Sequence, residues 1–152
     1  MRILGIDPGL AKLGWCLLIP DGKKFDYQTG IIGKNLDGLD EIKRLATIRD
    51  VVRDLLTNNL PNMAAMEGYS WGSKFNGPIM GEIGGIVKIA CYDAGVPLKI
   101  VAPATLKKFV TGRGNSDKAV VRQRIFKRWK KEFFTQDEAE AFALAQYALA
   151  HL

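Results

Sequence analysis

A chain of 152 residues with 47% hydrophobic content can bury one core and is too short for two, so a single domain spanning residues 1–152 is expected. No cationic segment leads into an apolar stretch and a cleavage site, and no apolar run nears the ~18 residues that cross a bilayer; the expectation is a soluble, cytoplasmic protein with no membrane partner. The net charge of +6 is uneven, because Lys99 to Lys131 holds eleven Lys/Arg against one acid, Asp117, making that stretch +10 and the remainder −4.

In chain order, "RILGI" (2–6) has strand character and runs into Asp7, Pro8 and Gly9. Gly9 and Gly14 bracket a turn into "WCLLI" (15–19), and Asp21-Gly22 supplies a hairpin turn into "FDYQTGII" (25–32). Three strands in an antiparallel meander are the simplest account. From Leu36 the period changes: Leu36, Leu39, Ile42, Leu45, Ile48, Val52, Leu55 and Leu56 recur three or four apart among charged residues. That spacing predicts an amphipathic helix ending near Asn58, Asn59 and Pro61. "MAAMEGY" follows as a short buried strand, and it too ends on a carboxylate, Glu67.

Residues 77–95 read as a helix with Ile79, Ile83, Ile86, Val87, Ala90 and Cys91 on one stripe. Gly81, Gly84 and Gly85 each cost that helix about 1 kcal/mol relative to Ala, so their presence points to close packing, including against a second subunit. "PLKIVAP" is a further strand, and Pro103 opens a short helix through Leu106 and Phe109. The polar loop "TGRGNSDK" places Ser116 to cap a basic helix over 117–131. In the closing "TQDEAEAFALAQYALAHL", Thr135 is placed to cap a helix whose first turns carry Asp137, Glu138 and Glu140, where the helix dipole favours anions. Ala141, Leu144, Ala145 and Ala148 form its apolar face. Cys16 and Cys91 lack metal-ligand spacing and read as structural thiols.

The carboxylates carry the chemistry. Asp7 alone reads more readily as a turn residue beside Pro8-Gly9, and Asp137, Glu138 and Glu140 singly as residues compensating the dipole. Together they read otherwise. Adjacent first and fourth strands would bring Asp7 near Glu67, and Asp137 and Glu140, three apart, share one helical face. Four carboxylates in a partly buried site need a counter-charge. Hard oxygen donors without a Cys/His cluster suit Mg²⁺ or Mn²⁺. A pair of such ions hydrolyses phosphodiesters, which gives the basic block a polyanionic partner in nucleic acid. On charge alone that block would fit a solvated helix face equally well. His151, near a fraying end, is not expected to act as a base.

The segments "ILGIDPGLAKLGW", "AAMEGY", "VTGRGNSDKAVV" and "DEAEAFALA" resemble, nearly end to end and in order, the RuvC family of Holliday junction resolvases in the RNase H-like superfamily. The resemblance implies an α/β fold with a central five-stranded mixed sheet flanked by helices, two Mg²⁺ ions, and a homodimer that nicks paired strands of a four-way DNA junction. It makes Asp7, Glu67, Asp137 and Glu140 the metal ligands and gives Lys118 a charge-stabilising role at the scissile phosphate. The glycine-bearing segment 77–95 corresponds to a helix of the dimer interface.

Two departures imply a divergent, phage-type member. Glu140 stands where the family usually has Asp, which lengthens that ligand by one methylene. The loop after Glu67 lacks an aromatic at the family's usual place, Ser70, leaving Tyr69, Trp71 and Phe75, with Lys74, as the candidates for contacting the junction. Further DNA contacts are expected from Lys107, Lys108, Arg113, Lys118 and Arg122. The competing readings are a non-catalytic protein that binds branched DNA on the same fold, and an actin-like nucleotide-binding domain. The latter requires a second phosphate-binding turn that the sequence lacks.

Overall fold

The computed structural model describes residues 1–9, 12–33, 36, 38–69 and 77–152. Strands β1 (Ile3–Pro8), β2 (Leu13–Asp21), β3 (Lys24–Ile32), β4 (Met63–Glu67) and β5 (Leu98–Val101) form one sheet in the order β3-β2-β1-β4-β5. The first three are antiparallel, closed by a hairpin with Gly22 at φ 58°, whereas β4 pairs parallel to both β1 and β5. This is the expected five-stranded mixed sheet with a leading meander. Helices α1 (Glu41–Asn59), α2 (Gly77–Asp93), α3 (Pro103–Thr111), α4 (Lys118–Trp129) and α5 (Gln136–Ala150) complete the fold.

Strand alternation sorts the core into two layers. Leu4, Ile6, Ala64 and Met66 turn to one face, where they join Ile48 and Val52 of α1 and Ile83 and Val87 of α2. Ile3, Cys16, Leu18 and Ala65 turn to the other, against Ala141, Phe142, Ala145 and Ala148 of α5. Burial of α5 goes well beyond the single apolar face expected, since Ala139, Phe142 and Ala143 are also fully covered. Its alanines remove the bulk that would hold a helix off the sheet, and α3, α4 and the aromatic rings of Phe25, Tyr27, Trp129 and Phe133 close around it.

Three local details differ from the sequence reading. Helix α1 starts at Glu41 rather than near Leu36, because the Asp40 carboxylate caps it by accepting from Lys43 N at 2.9 Å. Leu36 is buried ahead of the helix, so its helical spacing reflects burial alone. Helix α4 is capped by Asp117, which accepts from Val120 N at 2.9 Å. Ser116 does not cap it: its hydroxyl is 2.7 Å from Thr111 Oγ1 and donates to Arg113 O at 3.0 Å, closing the 111–116 loop. Cys16 and Cys91 are buried free thiols, as expected, and burial raises the pKa of each.

Candidate active site

The register of the sheet decides where the carboxylates fall. Ile6 pairs with Met66 across the parallel β1–β4 ladder, so Asp7 and Glu67 are the next residues on neighbouring strands. By parity both belong to the α5 face. Helix α5 reaches them because two glycines lie beneath it. A Cβ at Gly5 would collide with the Ala141 carbonyl, and one at Gly14, the β2 partner of Asp7, would collide with the backbone of Asp137. The first turns of α5 therefore rest directly on β1 and β2, and Glu140 comes down beside the strand ends.

Asp7, Glu67 and Glu140 each bring a carboxylate oxygen within 4.8 Å of the other two. Asp7 is 5% exposed and Glu140 7%, so the charges are held out of water. Burial, then Glu140, then Glu67 raise the Asp7 carboxyl well above its ordinary range, with a hydrogen bond to Glu140 and the charge of Asp137 adding to the effect. Burial and Glu140 lift Glu67 from 4.5 to about 7, against the lowering influence of Lys118 and Lys107. Two carboxyls can hydrogen-bond only by sharing a proton, and a cation relieves the same repulsion. An all-oxygen, mutually repelling, buried donor set of this kind fits a hard divalent ion. Asp137 lies outside the three-residue cluster yet near enough to act on Asp7, so three of the four expected carboxylates converge closely and the fourth flanks them.

The remaining acid of the first turn has a different task. Glu138 Oε2 accepts from Thr135 N at 3.1 Å and from Thr135 Oγ1 at 2.9 Å, completing a capping box, and its Oε1 accepts from Thr29 Oγ1 of β3 at 3.2 Å. It fastens α5 to the sheet. Gln136, which the sequence reading did not single out, donates from Nε2 to Glu140 Oε1 at 2.8 Å. The signal available for it was its spacing four residues ahead of Glu140. Lys118 Nζ stands 3.9 Å from Glu140 Oε2 with its side chain largely in solvent.

The expected DNA contacts divide. Lys107 joins Lys118 near Glu67, and Lys108 and Arg113 are exposed. Arg122 Nη2 donates to the Phe133 carbonyl, tying α4 to the turn that enters α5, so its guanidinium is partly engaged within the chain. Tyr69, 43% exposed, lays its ring against Gly84 and beneath Lys88 Nζ, 5.7 Å from the ring centre. Trp71, Lys74 and Phe75 lie outside the described residues. Parts of the basic block lie along aromatic surface: Arg128 stacks over Phe109 and Trp129 and donates to Phe109 O, and Lys131 covers Phe25 and Tyr27.

A family model described as crossover junction endodeoxyribonuclease RuvC matches residues 3–151. The chain belongs to the RuvC family. A RuvC of Sorangium cellulosum is 34% identical over 125 residues, covering 81% of this chain and 69% of the relative. A RuvC of Azorhizobium caulinodans is 29% identical over 147 residues, covering 95% and 87%. Among solved structures, Thermus thermophilus RuvC in complex with a Holliday junction substrate aligns with TM-score 0.83 at 24% identity, over 99% of this chain and 96% of that one. The RuvC fold is thus present from the first strand to the last helix.

Proposed function

We propose that this chain is a metal-dependent endonuclease that resolves four-way DNA junctions by paired nicks, acting on DNA inside the cell, with the whole site carried by one domain. The convergence of Asp7, Glu67 and Glu140 at the ends of β1, β4 and the start of α5 carries the reading. These three, flanked by Asp137, would hold two Mg²⁺ ions, for which Mn²⁺ substitutes; bound there, the ions supply activation of water and stabilisation of the leaving oxygen. Lys118 and Lys107 place positive charge beside the carboxylates, where a phosphate approaching an acidic pocket would otherwise be repelled. Among the described residues no helix is long and apolar enough to cross a membrane.

The active form is proposed to be a homodimer joined through α2. Gly81, Gly85, Ile89 and Tyr92 fall on one stripe of that helix. Nothing lies within 4 Å of a Cβ placed on either glycine, while Ile89 is 62% and Tyr92 83% exposed. Beside the stripe runs a largely apolar groove of about 450 Å³ between α1 and α2 that includes Leu45, Gly85, Ile86 and Ile89. A second copy presenting the same stripe would cover it.

The alternative, a protein that binds branched DNA without cutting it, drew its support from Glu140 standing in place of Asp. Glu140 nevertheless reaches Asp7 and Glu67, which favours catalysis. The test is a synthetic four-way junction incubated with Mg²⁺ and resolved on a gel. Wild-type protein is expected to give paired nicks, whereas Asp7→Asn and Glu67→Gln should lose cleavage, because each removes an oxygen donor that holds the ions, while still binding the junction. Undiminished cleavage by both variants would overturn the assignment, and tight binding without product by wild type in Mg²⁺ and Mn²⁺ would favour the alternative.

A further inference from the structure

We propose that α4 and the turn following it form a track for unpaired nucleotides leading away from the carboxylate cluster, with Phe134 stacking on a nucleobase. The inference rests on the nuclease reading above and adds a binding element to it. Lys118, Arg122 and Phe126 recur every fourth residue on α4 and so lie on one stripe. The stripe begins at Lys118, 3.9 Å from Glu140, and at 1.5 Å per residue reaches Phe126 after about 12 Å, the length of roughly three to four stacked nucleotides. Its far end is an exposed ring with a cation over it: Phe126 is 44% exposed, and Lys130 Nζ lies 5.8 Å from its centre.

Between α4 and residues 131–133 opens a hollow of about 400 Å³ whose walls include Arg122, Gln123, Phe126 and Lys131, with Glu132 as its one acid. Immediately beyond stands Phe134, 99% exposed. Its neighbour Phe133 faces inward, packing on Phe142 and Tyr27 with ring centres 5.0 and 5.7 Å away. Phe134 therefore contributes nothing to the core. Nor does it staple the helix: it precedes the Thr135 cap, where a hydrophobic residue often packs on the fourth helical position, but that position is Ala139, 1% exposed and turned inward. A large apolar ring left wholly in water, three residues before Asp137 and next in the chain to Phe133, whose carbonyl Arg122 holds, matches a ligand that is both flat and anionic. Single-stranded DNA has those properties, its phosphates meeting the cations and its base faces meeting the rings. An acidic protein surface would satisfy the charges but leave the ring without a flat partner.

The experiment measures binding of full-length protein, without divalent metal, to a four-way junction carrying 2-aminopurine beside the crossover. Because Phe134 is fully exposed, Phe134→Ala leaves the fold undisturbed. It is expected to weaken binding by roughly 5- to 150-fold, the range for losing one stacked base, and to abolish quenching of the 2-aminopurine. The slope of affinity against salt should stay the same, because no phosphate contact is removed. Phe134→Trp should restore both affinity and quenching. Equal affinity and quenching in wild type and Phe134→Ala, in protein whose binding falls on Lys118→Ala, would overturn the track and leave the nuclease reading standing. A change in sedimentation state with DNA affinity untouched would reassign Phe134 to a protein contact and overturn it likewise. Failure of wild-type protein to bind any junction would remove both readings together.

Discussion

The two faces of the sheet are built from the same strands and differ in almost everything else. On the α1/α2 face, Leu4, Ile6 and Met66 meet Ile48, Val52, Ile83 and Val87 in an aliphatic layer. On the α5 face, glycine replaces bulk at Gly5 and Gly14, a helix rests on bare backbone, and three carboxylates are pressed together in the space that remains. One layer stores stability. The other spends part of it to hold like charges near each other, and the alternation of β1 and β4 keeps the two apart by one residue.

The largest effect should come from breaking the close approach. Gly5→Val would drive its side chain into the Ala141 carbonyl and is expected to cost at least about 3 kcal/mol, the upper end of overpacking, while lifting Glu140 from its partners. Leu4→Ala, one residue away on the aliphatic face, should cost a similar 2–5 kcal/mol yet leave cleavage per folded molecule unchanged. Chemical denaturation paired with junction cleavage separates them. Equal specific activity in the two variants would show that the α5 seat is not what sets the site.

A second test sharpens the contrast through pH. The folded chain keeps the Glu67 proton up to about 7, whereas the unfolded chain releases it near 4.5. The proton bound only by the folded state stabilises it at low pH, and that contribution is lost as pH rises between those values. Metal-free protein should therefore lose roughly 5 °C in melting temperature across that window relative to Glu67→Gln, which lacks the titration. Divalent metal should reverse the loss above pH 7 by replacing the proton. Parallel melting curves for the two proteins at every pH would contradict this.

The smallest effect is expected at Gln136. Its amide holds one Glu140 oxygen at 2.8 Å and leaves the other facing Lys118. Gln136→Ala should weaken Mn²⁺ binding, measured by calorimetry, by about 5-fold, equivalent to one net hydrogen bond of ~1 kcal/mol, with global stability little changed. In a Glu140→Asp background, whose shorter side chain the amide no longer meets, the same substitution should have no effect.

What was legible in the sequence followed from periodicity. Apolar runs ending on Asp7 and Glu67 put each at a strand end, near each other if the first and fourth strands adjoin, as they do, and helical spacing put Asp137 and Glu140 on one face. What was not legible depended on which neighbour arrives first. Ser116 and Asp117 are both competent caps, and only the closure of the 111–116 loop withdraws Ser116 and leaves Asp117 to cap α4. Leu36 carries a helix-like spacing because it is buried, not because it is helical. The +10 block gave no hint that Arg128 and Lys131 would cover aromatic rings, because a long cationic side chain packs along apolar surface as readily as it faces water.

The glycine seat beneath α5 has one further consequence. With the helix backbone in contact with β1 at Gly5 and β2 at Gly14, the helix cannot settle any closer to the sheet. The distance that remains between its axis and the carboxylate centre is then spanned by the methylenes of the side chain that bridges the gap. Position 140 thus works as a shim. A glutamate there, steadied by Gln136, sets a different gauge from an aspartate.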